Sequence, residues 1–142
     1  MNSKIPFEIG DTCSFTKTIS ESDVYLFSGI TGDFSPDHIN EEFMKKTPYK
    51  TRIVQGVLSF ALGSTVSTLI QQQARSEVPS VSYGYDHIRF TKPVFFGDTL
   101  TAEYTITEID SEAMKSYAKV EIFNQKRELC VVAKHILKFF EI

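Results

Sequence analysis

Two side chains with complementary proton chemistry stand five residues apart in the run Gly32-Asp33-Phe34-Ser35-Pro36-Asp37-His38. Asp33 supplies a carboxylate and His38 an imidazole, and the proline between them turns the chain so that both can share one water molecule. A carboxylate that takes a proton, with an imidazole beside it, suits the addition of water across a polarised carbon–carbon double bond, or its removal. Ser35-Pro36 is a helix-start signal, with the serine as N-cap and the proline at the first helical position, where a missing N–H costs nothing. His38 is then expected in the first turn.

The other reactive residues form no competing site. Three histidines at wide spacing and two isolated cysteines match no metal-ligand pattern. There is no Gly-x-Ser-x-Gly elbow for a nucleophilic serine, and Gly56-Val57-Leu58-Ser59 lacks the second glycine and the lysine of a phosphate loop. Neither a metal nor a redox cofactor is expected. His87 and His135 sit in strand-like runs and are read as structural histidines; Lys50, Arg52, Arg89 and Lys92 are read as solvated charges.

The elements that must hold the Asp33 loop are visible in the periodicity. Residues 12–19 read as a strand, and Ser20-Glu21-Ser22-Asp23 resembles a capping box opening a short helix. Val24, Leu26, Phe27 and Ile30 give that helix an apolar face, and Gly29 and Gly32 help to end it. After a loop over 47–52, residues 53–73 form a long helix that is apolar nearly all round, which predicts burial on every side. Its small residues Gly56, Ser59, Ala61, Gly63 and Ser64 permit close approach of a backbone or ligand.

From Ser80 the pattern changes to period two. Strands are predicted over 80–90, 99–109, 113–124 and 128–140, with Tyr83, Tyr85 and His87 on one side of the first. The turns at 110–112 and 124–126 are short, so the last three strands are antiparallel neighbours. The order of strand, helices, one long helix and four strands is that of an α+β fold in which an antiparallel sheet curls around a central helix.

At 142 residues the chain fits one domain spanning 1–142. Its net charge of -3, with Lys and Arg scattered, lacks the electrostatic footprint of a nucleic-acid binder. Residues 1–10 contain no sustained apolar run of the kind a signal peptide needs. The most apolar region, 53–70, is broken by Gln55 and five Ser or Thr residues, whereas a bilayer span needs about 20 mainly apolar residues. No membrane association is expected. Cys13 and Cys130 are read as two buried thiols in a reducing compartment, with a cytoplasmic location as the consequence.

Three segments together resemble one family. Thr31-Gly32-Asp33-Phe34-Ser35-Pro36-Asp37-His38 is similar to the hydratase motif of the MaoC-like, R-specific enoyl-CoA hydratases, which have the hotdog fold. Ile53-Val54-Gln55-Gly56-Val57-Leu58 resembles that family's helix start, and Arg89-Phe90-Thr91-Lys92-Pro93-Val94 with Gly97-Asp98 resembles its strand and turn. The resemblance implies that Asp33 and His38 hold and activate the water that attacks the β carbon of a trans-2-enoyl thioester, while a proton reaches the α carbon on the same face. It also implies that the Gly56 N–H meets the thioester oxygen as that oxygen becomes enolate-like. Ser64 matches a small polar position lining the acyl pocket, and Ser35 and Gln55 stand at motif positions beside the substrate.

The chain departs from the family pattern at three places. Ser35 replaces an Asn, Asp37 an aliphatic residue and Gln55 a frequent His. Asp37 adds a second negative charge beside the pair. Two alternatives follow: a hotdog thioesterase, in which a carboxylate directs water at the carbonyl carbon, and a non-catalytic subunit that binds acyl thioesters. An acyl-CoA or an acyl carrier protein conjugate is the expected partner. A single curled sheet leaves an edge to cover, so a homodimer joined edge to edge is expected, and the resemblance implies that the ligand tunnel lies at its interface.

Overall fold

The computed structural model describes residues 5–141. Strand β1 (Thr12–Thr18) leads into helices α1 (Glu21–Thr31), α2 (Pro36–Ile39) and α3 (Glu41–Met44), then the 18-residue α4 (Gly56–Gln73). Strands β2 (Ser80–Phe90), β3 (Thr99–Asp110), β4 (Lys115–Phe123) and β5 (Leu129–Phe139) complete the chain. All five strands lie in one antiparallel sheet of order β1-β3-β4-β5-β2. The sheet curls around α4, which packs on β1, β3, β4 and β5. The predicted architecture is therefore the one observed.

Helix α4 is held by its packed face. Leu62, Val66 and Ile70 point into the core, where Val66 and Ile70 lose essentially all contact with water. Each such burial stabilises by roughly 1.5–3 kcal/mol, more than a terminal cap supplies, and α4 has no side-chain cap at its start. Gly63 sits so close to β4 that a Cβ there would stand 3.2 Å from Cγ1 of Val120. A small residue is required at that crossing.

The structure corrects four expectations. Helix α4 begins at Gly56 rather than at residue 53, because Ile53 bridges to Phe95 and the Val54 N–H donates to the Val94 carbonyl (2.8 Å). Those pairings hold the backbone extended until Gln55. The helix is also not enclosed on every side: Val57, Ala61, Ser64 and Thr68 form an exposed stripe at helical spacing. A separate turn, α3, was not expected; Asn40 caps it by accepting the Phe43 N–H (3.0 Å). Finally, Tyr83, Tyr85 and His87 do not share a side, because β2 slips register between Ser82 and Gly84 and again between Asp86 and Arg89. Each bulge shifts the alternation by one residue, leaving Tyr83 in solvent, Tyr85 packed on His135, and His87 at φ 57 in the second bulge.

Helix α1 starts and ends as its sequence indicates, but of its expected apolar face Val24 is buried while Leu26 and Ile30 remain exposed. The Ser20 hydroxyl accepts the Asp23 N–H (3.2 Å) while Asp23 accepts the Ser20 N–H (2.9 Å), and Gly32 ends the helix at φ 80, a conformation glycine adopts without strain. Cys130 is buried and Cys13 half-buried, both as free thiols. No described helix is long and apolar enough to cross a membrane.

Candidate active site

The loop after α1 is shaped by its own short polar side chains. Asp33 Oδ1 accepts the Ser35 N–H (3.2 Å), closing an Asx turn that delivers Pro36 to the start of α2. The Ser35 hydroxyl does not cap α2 as expected; it donates to the Asp37 carboxylate instead. That bond is the main reason the Asp37 carboxyl is held below its ordinary value, so a full negative charge stands next to His38.

His38 is fixed from the other side. Its Nδ1 lies 2.8 Å from the Ile53 carbonyl oxygen. A carbonyl only accepts, so Nδ1 carries the proton and Nε2 is the atom left for chemistry. Nε2 stands 3.7 Å from Asp37 Oδ2. The Ile53 N–H donates in return to the Asp37 carbonyl (2.9 Å), which stitches α2 to the segment leading into α4. The His38 side chain is only 10% exposed. The two ends of this stitch set His38 beside the start of the long helix.

Between them lies a cavity of ≈ 410 Å³ lined by Asp37, His38, Gly56, Ser59 and Phe90, with Val94 and Val131 in its apolar wall. Because α4 has no side-chain cap, its first-turn amides remain free to meet an acceptor. Gly56 is needed there: a Cβ would stand 3.0 Å from the Phe90 ring. Ser59, one turn further on, is 0% exposed, and its hydroxyl has no hydrogen-bond partner among the described residues. Cys130 also lines the cavity, and burial pushes its thiol up, so it remains protonated.

The fold thus brings His38 and Gly56 to one cavity, and it treats the other sequence-derived residues differently. Asp33 is exposed and lies outside that cavity's lining. Ser64 is exposed on the outer stripe of α4. Gln55 is buried, but its Nε2 donates to the Val24 carbonyl (3.1 Å) and the Ser28 hydroxyl (3.0 Å), turning it toward α1 rather than the cavity. Arg52, expected to be a solvated charge, is a clamp: it pairs with Glu21 (2.8 Å) and Glu41 (2.9 Å) and lies over the Phe96 ring at 4.7 Å. Lys92 is paired with Glu128 (2.6 Å).

Sequence reasoning singled out Ser59 only as a small residue. Its spacing of three from Gly56 on a helix was the available signal, since that places both on one face. The Asp37–His38 pairing was visible as adjacency, but its geometry depends on the return bond from Ile53.

Residues 6–126 match the family described as MaoC like domain. An (R)-specific enoyl-CoA hydratase of Rhodospirillum rubrum is 41% identical over 103 residues, covering 72% of this chain and 68% of the relative. The (R)-hydratase of Aeromonas caviae involved in PHA biosynthesis superposes with a TM-score of 0.80 at 30% identity, covering 93% of this chain and 96% of that one. An unliganded R-hydratase of Pseudomonas aeruginosa gives a TM-score of 0.77 at 28% identity, over 96% of this chain and 84% of its own.

Proposed function

The chain belongs to the MaoC-like family, and from that premise we propose that it is an (R)-specific enoyl-CoA hydratase, adding water to trans-2-enoyl-CoA to give (R)-3-hydroxyacyl-CoA, or catalysing the reverse dehydration. The observation that carries this reading is the cavity shared by His38 and Gly56, with an acceptor nitrogen on one side and a free helix N-terminus on the other. In the hydration direction His38, with Asp33, takes a proton from water as its oxygen bonds to the β carbon. The π electrons move toward the thioester carbonyl, whose oxygen gains negative charge. The Gly56 N–H stabilises that oxygen, and the α carbon then receives a proton as the carbonyl re-forms. No external electron acceptor enters this balance.

The chain acts as a homodimer in this reading. Asp33 and Ser64 are exposed in the single chain, and a second copy encloses them within the tunnel that holds the acyl chain. The edge strand β2 presents Val81, Tyr83 and Phe90 to solvent, a surface that soluble sheets normally cover. Ser35 acts by holding Asp37 and Gln55 by joining α1 to α4, so both support the site from behind it. The two free thiols suit a cytoplasmic location.

The test is to supply crotonyl-CoA and follow both enoyl absorbance and free thiol. Hydration consumes the double bond with the thioester intact and yields the (R)-3-hydroxybutyryl product. Release of thiol indicates a thioesterase, and formation of the (S) product refutes the stereochemical assignment.

A further inference from the structure

Among the described residues that line the cavity, Ser59 is the one with a side-chain polar atom that is buried and has no hydrogen-bond partner. Serine within a helix usually returns its hydroxyl to the carbonyl four residues earlier. That carbonyl belongs to Gln55, and it accepts the Ser59 backbone N–H at 3.2 Å without receiving the hydroxyl. An unpaired buried hydroxyl is unfavourable in the protein without ligand, and a ligand acceptor would remove the penalty.

The position of this hydroxyl identifies the acceptor. Side chains of an α-helix lean toward its N-terminus, so Ser59 covers the turn begun by Gly56. Gly56 has no side chain to stand between them, and α4 has no side-chain cap to occupy the first-turn amides. Resting on the hydratase reading, we propose that Ser59 is a catalytic residue whose hydroxyl donates to the thioester carbonyl oxygen alongside the Gly56 N–H. The developing enolate oxygen then receives one backbone donor and, once the hydroxyl turns to meet it, one side-chain donor. Donors aimed at charge that appears in a transition state stabilise it.

The experiment is Ser59→Ala, measured in three ways on the full chain. The kcat for crotonyl-CoA hydration falls about a hundredfold with little change in KM, as expected for one lost donor to an oxyanion. The Tm is unchanged or higher, because the variant removes an unsatisfied hydroxyl and no hydrogen bond. With butyryl-CoA, whose saturated chain cannot be hydrated, the infrared carbonyl stretch of the bound thioester moves to lower frequency on the wild-type protein and moves less on the variant. Turnover of Ser59→Ala within threefold of wild type, a lower Tm, or equal carbonyl shifts each overturn the role. Absence of a carbonyl shift on the wild type also overturns it. If the wild type fails to hydrate crotonyl-CoA, the hydratase reading is what fails, and the butyryl-CoA spectra still decide whether Ser59 contacts the carbonyl.

Discussion

Nδ1 of His38 and the carbonyl oxygen of Ile53 lie 2.8 Å apart, and this single bond puts a proton on Nδ1 and leaves Nε2 as the nitrogen for chemistry. Replacing His38 by Ala removes that nitrogen, and hydration of crotonyl-CoA is expected to fall about a hundredfold or more. Loss of one partly buried hydrogen bond costs stability of only about 1 kcal/mol. A variant that stays folded by circular dichroism yet keeps wild-type turnover would remove His38 from the mechanism.

Two carboxylates compete for the role of base. Asp33 is assigned by the family motif but is exposed in the single chain, whereas Asp37 stands 3.7 Å from Nε2 of His38 and already accepts the Ser35 hydroxyl. The Ser35 hydrogen bond holds the Asp37 carboxyl below its ordinary value and so makes it a weaker base, and Asp37 is expected to be dispensable. Asp33→Asn should lower kcat about a hundredfold or more, and Asp37→Asn by less than about tenfold. The opposite ranking reassigns the base to Asp37.

Outside the cavity lining, His135 is fully buried on β5, with Nε2 2.7 Å from the Ser82 hydroxyl, Nδ1 2.7 Å from the Tyr104 hydroxyl, and its ring stacked on Tyr85 at 4.3 Å. Burial lowers its pKa from 6.5 to about 4. The neutral form therefore contributes stability that is fully present above pH 6.5 and is lost as pH falls toward 4, amounting to roughly 3 kcal/mol across that window. Carboxylates held low by their partners, such as Glu21 and Asp23, lose their share only below their ordinary values of 4.5 and 3.8. Thermal unfolding of the wild type should thus show a falling Tm between pH 6.5 and about pH 4.5. His135→Leu, less stable at neutral pH because two hydroxyls lose their partner, should show little slope there. An equal slope in both proteins would locate the titration elsewhere.

The fold was legible wherever local pattern and tertiary packing agree. The capping box at Ser20 and Asp23, the glycine stop at Gly32 and the antiparallel run of β3 to β5 all follow from short-range chemistry. What the pattern hid was set by partners distant in sequence. Ile53 has helical periodicity but is captured by Phe95, and Arg52 reads as surface charge until Glu21 and Glu41 converge on it. Two bulges in β2 defeat the simple alternation of Tyr83, Tyr85 and His87. For the site, His38 and Gly56 were legible from motif and meet in one cavity. The unpaired state of the Ser59 hydroxyl depends on the final rotamer and on the bond its own amide makes with Gln55, which no spacing rule contains.

The edge strand β2 gives the last prediction. Val81 and Tyr83 are 50% and 62% exposed on a strand of 11 residues whose other side pairs with β5. The first part of this edge, Val81 to Tyr83, is uncharged and precedes Asp86 and Arg89, so it is the stretch open to pairing with another strand. Introducing Val81→Lys and Tyr83→Lys together should convert a dimer to a monomer in size-exclusion chromatography with light scattering. The individual fold should survive, because neither side chain belongs to the buried core. Hydration should fall with dimer content, since Asp33 and Ser64 then remain in open solvent. A wild-type protein that runs as a monomer while hydrating crotonyl-CoA at full rate would show that one chain holds the whole site, and the exposed β2 edge would need a different occupant.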